Sequence, residues 1–222
     1  MSAYLLINIL IVLFPFAFSF EKQIKFYKNR KYYLLSISVV STGYIIWDIY
    51  AAMRGDWSFN PAHTLAVRIY GLPLEEILFF VTVPYSSIFV YETICFYLKD
   101  KQLSISSYFV FGSAAILTGT AFYYVDQYYT FTVLLFCAGF LVLAEIKMKG
   151  LLRSRNYWIV VSLTYVPFFI VNYFLTSIPI VSYSDSAIWG TRVTTIPVED
   201  FFYSFSMISF WLYFYNYFKK NF

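Results

Sequence analysis

The sequence predicts an all-α integral membrane protein with seven transmembrane helices, arranged as two parallel three-helix repeats joined by a linker helix. The chain of 222 residues is 60% hydrophobic and 13% charged, whereas a soluble domain carries roughly 25% charged residues. Its apolar residues form seven runs, each close to the roughly 20 residues that cross a bilayer as a helix. The pattern also recurs at an offset of 124 residues, which is the separation of Glu75 from Glu199.

The predicted spans are residues 3–20, 32–51, 73–97, 105–124, 128–144, 157–178 and 197–218. The first span lacks the basic leading segment and the cleavage site of a signal peptide, so we expect it to be retained. Prolines within spans, such as Pro15, Pro84 and Pro167, are expected to be kinks that neighbouring helices tolerate.

Basic residues are concentrated on one side of the predicted bundle. Thirteen of the 16 lysines and arginines follow the first, third, fifth and seventh spans. The positive-inside rule makes that side cytoplasmic. We therefore expect a protein of the cell membrane with its amino terminus outside and its carboxyl terminus in the cytoplasm. The other three, Arg54, Arg68 and Arg192, lie in the longer loops 52–72 and 179–196.

The repeat predicts how the chain is divided. At the same offset the first three spans lie over the last three, while span 105–124 has no counterpart and no charge. One extra crossing makes the two repeats parallel, related by an axis along the membrane normal. We expect a first repeat at 1–104, a linker helix at 105–126 and a second repeat at 127–222.

Each repeat carries a proline and two adjacent acids at the head of its third span. The two motifs read Gly71-Leu-Pro-Leu-Glu75-Glu76 and Thr195-Ile-Pro-Val-Glu199-Asp200. Helix-start chemistry alone could explain them, because proline suits the first turn and acids favour the positive end of the helix dipole. However, paired acids entering hydrocarbon are costly. We therefore predict that Glu75, Glu76, Glu199 and Asp200 converge and have a functional role, as catalytic acids and bases if the protein is an enzyme.

Other side chains are candidates to support these acids or to bind the substrate. Aromatic faces attract cations, although membrane packing also explains aromatic residues in a chain with 26 phenylalanines. The two arginines could pair with the acids, and Asp48, which corresponds to Asn172, could hydrogen-bond into the same site. The supporting candidates are Asp48, Arg68, Phe79, Phe80, Asn172, Arg192 and Tyr203.

The sequence predicts no cofactor and no metal. It contains no nucleotide fingerprint, haem attachment motif or nucleophile elbow. Cys95 and Cys137 lie in apolar runs and are expected to be core residues, and His63 lies alone in a loop. No basic face for nucleic acid is present. Two classes stay open: an enzyme that performs acid chemistry on a lipid-soluble substrate, and a transporter or proton conductor that uses intramembrane carboxylates.

The double Pro-x-Glu-Glu/Asp motif in a two-repeat chain resembles the small membrane-embedded carotenoid cyclases, in their fused form. This resemblance implies a lycopene β-cyclase, an isomerase of carotenoid biosynthesis that closes the linear ψ-ends of lycopene without a cofactor, giving γ-carotene and then β-carotene. The implied partners are these carotenoids and membrane lipid, with no nucleic acid, and the oligomeric state is left open. This chain departs from the pattern at Asp200, which replaces a second Glu, and at Thr195, which replaces Gly.

The two acid pairs are expected to differ in role. Glu75 and Glu76 are followed only by phenylalanines, whereas Glu199 and Asp200 are followed by the more polar Tyr203. We therefore expect the first pair to donate the proton and the second pair to act as base or to stabilise the cation. Glu75→Gln and Glu199→Gln are each expected to abolish cyclisation while the protein still accumulates.

Overall fold

The computed structural model of this protein describes residues 2–222, and most of this chain is helical, as predicted. The α-helices are Ala3–Phe18 (α1), Arg30–Arg54 (α2), Leu74–Tyr97 (α3), Ser107–Tyr123 (α4), Tyr128–Lys147 (α5), Lys149–Arg153 (α6), Arg155–Ser177 (α7) and Val198–Asn221 (α8). A turn of 3-10 helix at Phe26–Asn29 precedes α2.

Seven of these helices fall on the predicted apolar runs, with shifts of a few residues at their ends. The additional helix α6 lies in the basic segment between the fifth and sixth runs. Local caps account for some of the boundaries. Ser106 and Ser154 accept hydrogen bonds from first-turn amides of α4 and α7, which is the usual role of serine at this position. Gly55 ends α2 in the left-handed conformation, with φ 82°.

Four helical segments are both long and apolar enough to cross a membrane: Phe26–Arg54, Leu74–Tyr97, Tyr128–Lys147 and Arg155–Ser177. Large apolar side chains also cover the outside of the bundle, including Phe14 at 66% and Val166 at 61% exposure. Such surfaces are compatible with lipid rather than water. The chain is therefore a membrane protein, and the count of seven spans stays a prediction.

The two long loops contain short strands that the sequence did not predict. Trp57–Phe59 (β1) pairs antiparallel with Val181–Tyr183 (β4), and this pairing joins the loops. Arg68–Ile69 (β2) pairs with Leu72–Pro73 (β3), and Arg192–Val193 (β5) pairs with Ile196–Pro197 (β6). Each of these hairpins leads directly into an acidic helix. Pro73 and Pro197 are therefore the N-cap residues of α3 and α8. The sequence pattern instead predicts them in the first helical turn.

The core lies where α2, α3, α5, α7 and α8 pack together, whereas α4 packs against α5. Internal prolines occur only in α1, α3 and α7 among the described helices. Pro84 cannot donate to the carbonyl of Phe80 four residues earlier. Ser41 of α2 donates its hydroxyl to that carbonyl at 2.7 Å. A neighbouring helix thus satisfies the carbonyl that Pro84 leaves without its helical donor.

Candidate active site

A cavity of about 280 Å³ lies between α1, α3, α7 and α8, and residues of β1 and β4 also line it. Most of its wall is apolar. Three carboxyl groups, from Asp48, Glu76 and Asp200, line this cavity together. Two come from the first turns of α3 and α8, and the third comes from α2. The wall thus carries three acidic groups in an otherwise apolar space.

Phenol groups hold the two motif acids that face the cavity. Tyr4 of α1 donates its hydroxyl to Oε2 of Glu76 at 2.5 Å. Asp200 accepts two such bonds, from Tyr129 at 2.6 Å and from Tyr183 at 3.0 Å. Asp200 is 2% exposed, so these donors replace the water that would otherwise solvate its charge. The two acids are alike in position and differ in their number of donors.

Asp48 is the third carboxyl group of the cavity. The indole Nε1 of Trp57 donates to its Oδ1 at 2.9 Å. Its Oδ2 is buried and has no hydrogen-bond partner among residues 2–222. The corresponding residue, Asn172, also lines the cavity, but its amide donates to the Phe168 carbonyl of its own helix. Asp48 therefore has an oxygen that is free to contact a bound molecule.

Glu75 and Glu199 occupy a different environment from the one expected. Neither lines the cavity. Oε1 of Glu75 accepts the backbone N–H of Leu65 at 2.6 Å, and Oε1 of Glu199 accepts the N–H of Trp189 at 2.5 Å. Each also accepts a hydroxyl hydrogen bond: Glu75 from Ser2, the N-cap residue of α1, and Glu199 from Thr130 of α5. These two acids hold the long loops against the bundle, so two of the four motif acids share the cavity, not all four.

The arginines do not contact the acids, contrary to expectation. Arg68 donates to the Thr64 hydroxyl at 2.9 Å, and Arg192 donates to the Thr195 carbonyl at 3.0 Å. The ion pairs within residues 2–222 involve other acids: Asp56, Glu92 and Glu145. Both arginines belong to hairpin strands, and the hairpin turn directs their side chains towards their own loop.

The predicted aromatic residues divide between the cavity and the packed core. Phe79 and Tyr203 line the cavity, and the ring of Phe79 lies 6.0 Å from that of Tyr4. Phe80 is fully buried in the helical core and does not reach the cavity. Both residues lie about one turn after Glu76, so spacing alone does not separate them; the structure places Phe79 at the cavity and Phe80 in the core.

Sequence reasoning missed all four aromatic residues that donate hydrogen bonds to the cavity acids: Tyr4, Trp57, Tyr129 and Tyr183. The rings of Tyr129 and Tyr183 stack at 5.7 Å, and Trp57 lies 5.1 Å from Tyr129. Burial, together with the nearby charge of Asp200, raises the pKa of Tyr183 well above its ordinary value. This phenol therefore keeps its proton and serves as a donor. Tyr4 and Tyr129 begin spans and could have been found from that position, but Trp57 and Tyr183 depend on the unpredicted strands.

The remaining candidates lie apart from the cavity. Cys137 is buried, as expected, but Cys95 is exposed on the outside of α3 rather than in the core. Both are free thiols. No three His, Cys, Asp or Glu side chains among residues 2–222 are grouped so as to hold a metal ion. The expectation that no metal or cofactor takes part stays a prediction.

Comparison with known proteins gives a consistent result. A family model described as "Lycopene cyclase" matches two stretches of the chain, residues 1–94 and 126–218. A curated protein of Pyrenophora tritici-repentis (strain Pt-1C-BFP), named "Bifunctional lycopene cyclase/phytoene synthase", is 40% identical over 59 residues. That alignment covers 27% of this chain and only 10% of the length of the relative. No solved structure matches the chain.

Proposed function

Because this chain belongs to the lycopene cyclase family, we propose that it is a lycopene β-cyclase. It closes the two ψ-ends of lycopene in turn, so that γ-carotene forms first and β-carotene second, and it needs no cofactor. The observation that carries this proposal is the group of carboxyls from Asp48, Glu76 and Asp200 in one apolar cavity. Carotenoids are lipid-soluble, and a membrane protein with such a cavity can take them directly from the bilayer.

The reaction needs one acid, one base and walls that tolerate a cation. A proton adds to C2 of the terminal C1–C2 double bond, which leaves a cation at C1. The C5–C6 double bond attacks C1, and the positive charge moves to C5. Loss of the proton from C6 forms the ring double bond. No atom is gained or lost overall, and the redox level is unchanged, so proton transfer by positioned carboxyl groups is sufficient.

We assign the proton donor and the base to the two motif acids that face the cavity. Asp200 accepts two phenol hydrogen bonds, which favour a charged carboxylate. It is therefore the better base for the proton at C6. Glu76 has a single phenol donor and lies next to the carboxyl group of Glu75 in the first turn of α3. It is therefore the better proton donor. The free oxygen of Asp48 and the faces of Trp57 and Tyr129 stabilise the intermediate cation.

We also propose that the chain crosses the membrane seven times as two parallel three-helix repeats. The separate family matches at 1–94 and 126–218 support repeats at 1–104 and 127–222 with a linker at 105–126. The joining of the two loops by β1 and β4 supports acidic motifs on one side. The amino terminus then lies outside and the carboxyl terminus in the cytoplasm.

Reporter fusions test this topology. Fusions after Lys31, Arg155 and Lys220 are each expected to report the cytoplasm, since these residues belong to the basic side of the bundle. An extracytoplasmic signal from any of the three would contradict the parallel arrangement.

Expression in cells that accumulate lycopene tests the activity. We expect lycopene to be replaced by γ-carotene and β-carotene in the extracted pigments, with γ-carotene appearing first because one cavity takes one end at a time. The purified protein in liposomes is expected to give the same products in the presence of a chelator and without flavin or nucleotide. A proton-coupled transporter would instead show pH-dependent flux in liposomes and leave the pigment unchanged.

A further inference from the structure

The cavity continues away from the acids along one face of α3. Glu76, Phe79, Val83, Ser87 and Val90 all line it, and their spacing of three or four residues places them on a single helix face. From Glu76 to Val90 this stripe covers 14 helical rises, or about 21 Å at 1.5 Å per residue. The cavity is thus a channel that runs deep into the bundle from its acidic end.

The opposite wall of the channel is formed by α1 and α7, and both of these helices are interrupted by proline. Pro15 and Pro167 line the channel directly. Pro15 leaves the carbonyl of Ile11 without its helical donor, and Ser86 of α3 donates its hydroxyl to that carbonyl at 3.0 Å. The same hydroxyl also lies 2.8 Å from the carbonyl of Thr82 on its own helix, so Ser86 shares its single proton between the two helices and links α1 to α3 at this point of the wall.

At four positions of the channel wall, the corresponding residue of the other repeat is a larger aromatic one. At the offset of 124 residues, Ser86, Ser87, Val90 and Val171 of the channel wall correspond to Phe210, Trp211, Phe214 and Trp47. Trp211 is fully buried, and Phe210, Phe214 and Trp47 pack against the same core. At these four positions small side chains line the channel, whereas the corresponding aromatic side chains of the other repeat pack in the core.

We propose that this channel, defined by α1, α3 and α7, binds the polyene behind the end that is being cyclised. The inference rests on the proposed function. A cavity of about 280 Å³ is at the lower limit of ordinary small-molecule sites, roughly 300–1,000 Å³, so it holds one end of the long substrate. The remainder of the polyene leaves between α1 and α7, where the apolar outer faces meet lipid.

The test is a pair of substitutions on one helix. Val90→Phe introduces into the channel the residue type found at its counterpart, Phe214. Val81→Phe is the matched control, because Val81 is 46% exposed on the outside of α3 yet lies closer in sequence to Glu76. We expect Val90→Phe to lower conversion of lycopene at least roughly tenfold, since overfilling a packed space misplaces the reacting end. Val81→Phe is expected to retain activity close to that of the unaltered protein.

A binding measurement separates this inference from the proposed function. Protein with Glu76→Gln, purified from lycopene-accumulating cells, is expected to carry lycopene that is detected by its absorbance. Adding Val90→Phe should remove most of it, and adding Val81→Phe should not. If the unaltered protein cyclises lycopene but both phenylalanine variants behave alike in conversion and binding, the channel assignment is wrong. If the unaltered protein neither cyclises nor binds lycopene, the proposed function itself fails.

Discussion

Glu76→Gln and Asp200→Asn are each expected to reduce ring formation by at least roughly 100-fold, the usual contribution of a positioned acid or base. Both amides keep the size of the side chain. The glutamine can still accept the phenol hydrogen bond of Tyr4, and the asparagine oxygen can accept that of Tyr129 or of Tyr183, which donate to different oxygens of Asp200. Neither amide can donate or accept the proton that the reaction moves. Lycopene should therefore remain in the cells, and the measurement is the ratio of β-carotene to lycopene in extracted pigments.

Protein accumulation is the necessary control for these two variants. Each variant should be present in the membrane at a level close to that of the unaltered protein and should show the same helical circular dichroism. Near-normal β-carotene output from either variant would remove that carboxyl group from the chemistry. Its position in the first turn of the helix would then be explained by attraction to the positive end of the helix dipole alone.

Glu75 and Glu199, the two motif acids outside the cavity (the outer acids), are expected to affect stability through their hydrogen bonds and not to take part in proton transfer. Glu75→Gln and Glu199→Gln keep an oxygen that can accept the N–H of Leu65 or Trp189, so cyclisation should continue. Glu75→Leu and Glu199→Leu leave these amides without an acceptor, which costs about 1–3 kcal/mol for each buried group. We expect lower melting temperatures and less folded protein for the leucine variants, measured by thermal denaturation in detergent.

This result would replace the expectation from the sequence that Glu75→Gln and Glu199→Gln abolish activity. Loss of activity in both glutamine variants, with normal accumulation and melting temperature, would contradict the structural role. It would mean that Glu75 and Glu199 take part in the chemistry, as proton donors or acceptors that act through Glu76 and Asp200.

The helices and the acidic motifs could be predicted from the sequence, but which of two adjacent acids faces the cavity could not. Apolar runs near 20 residues long mark the main helices because backbone groups in lipid must be satisfied within each segment. Glu75 and Glu76, however, are equivalent by composition and spacing. Their side chains point about 100° apart on α3, and which one faces the cavity depends on how the helix is rotated in the bundle.

The two long loops were the least predictable part of the chain. Strands of two or three residues, such as Trp57–Phe59 and Val181–Tyr183, are too short for an alternating pattern to be recognised. Their pairing brings Trp57 to Asp48 and Tyr183 to Asp200. Arg68 and Arg192 lie in the short hairpins, where they donate to the Thr64 hydroxyl and the Thr195 carbonyl rather than to the motif acids, and their part in the site stays a prediction.

The most direct test of acid-catalysed cyclisation is to run the reaction in deuterium oxide with purified protein in liposomes and unlabelled lycopene. If one carboxyl adds a solvent-exchanged proton at C2 and another removes the original proton from C6, each ring gains a single deuterium. Mass spectrometry should then find one deuterium in γ-carotene and two in β-carotene. β-Carotene that forms without deuterium, or that forms only when reduced flavin is added, would contradict proton transfer by Glu76 and Asp200.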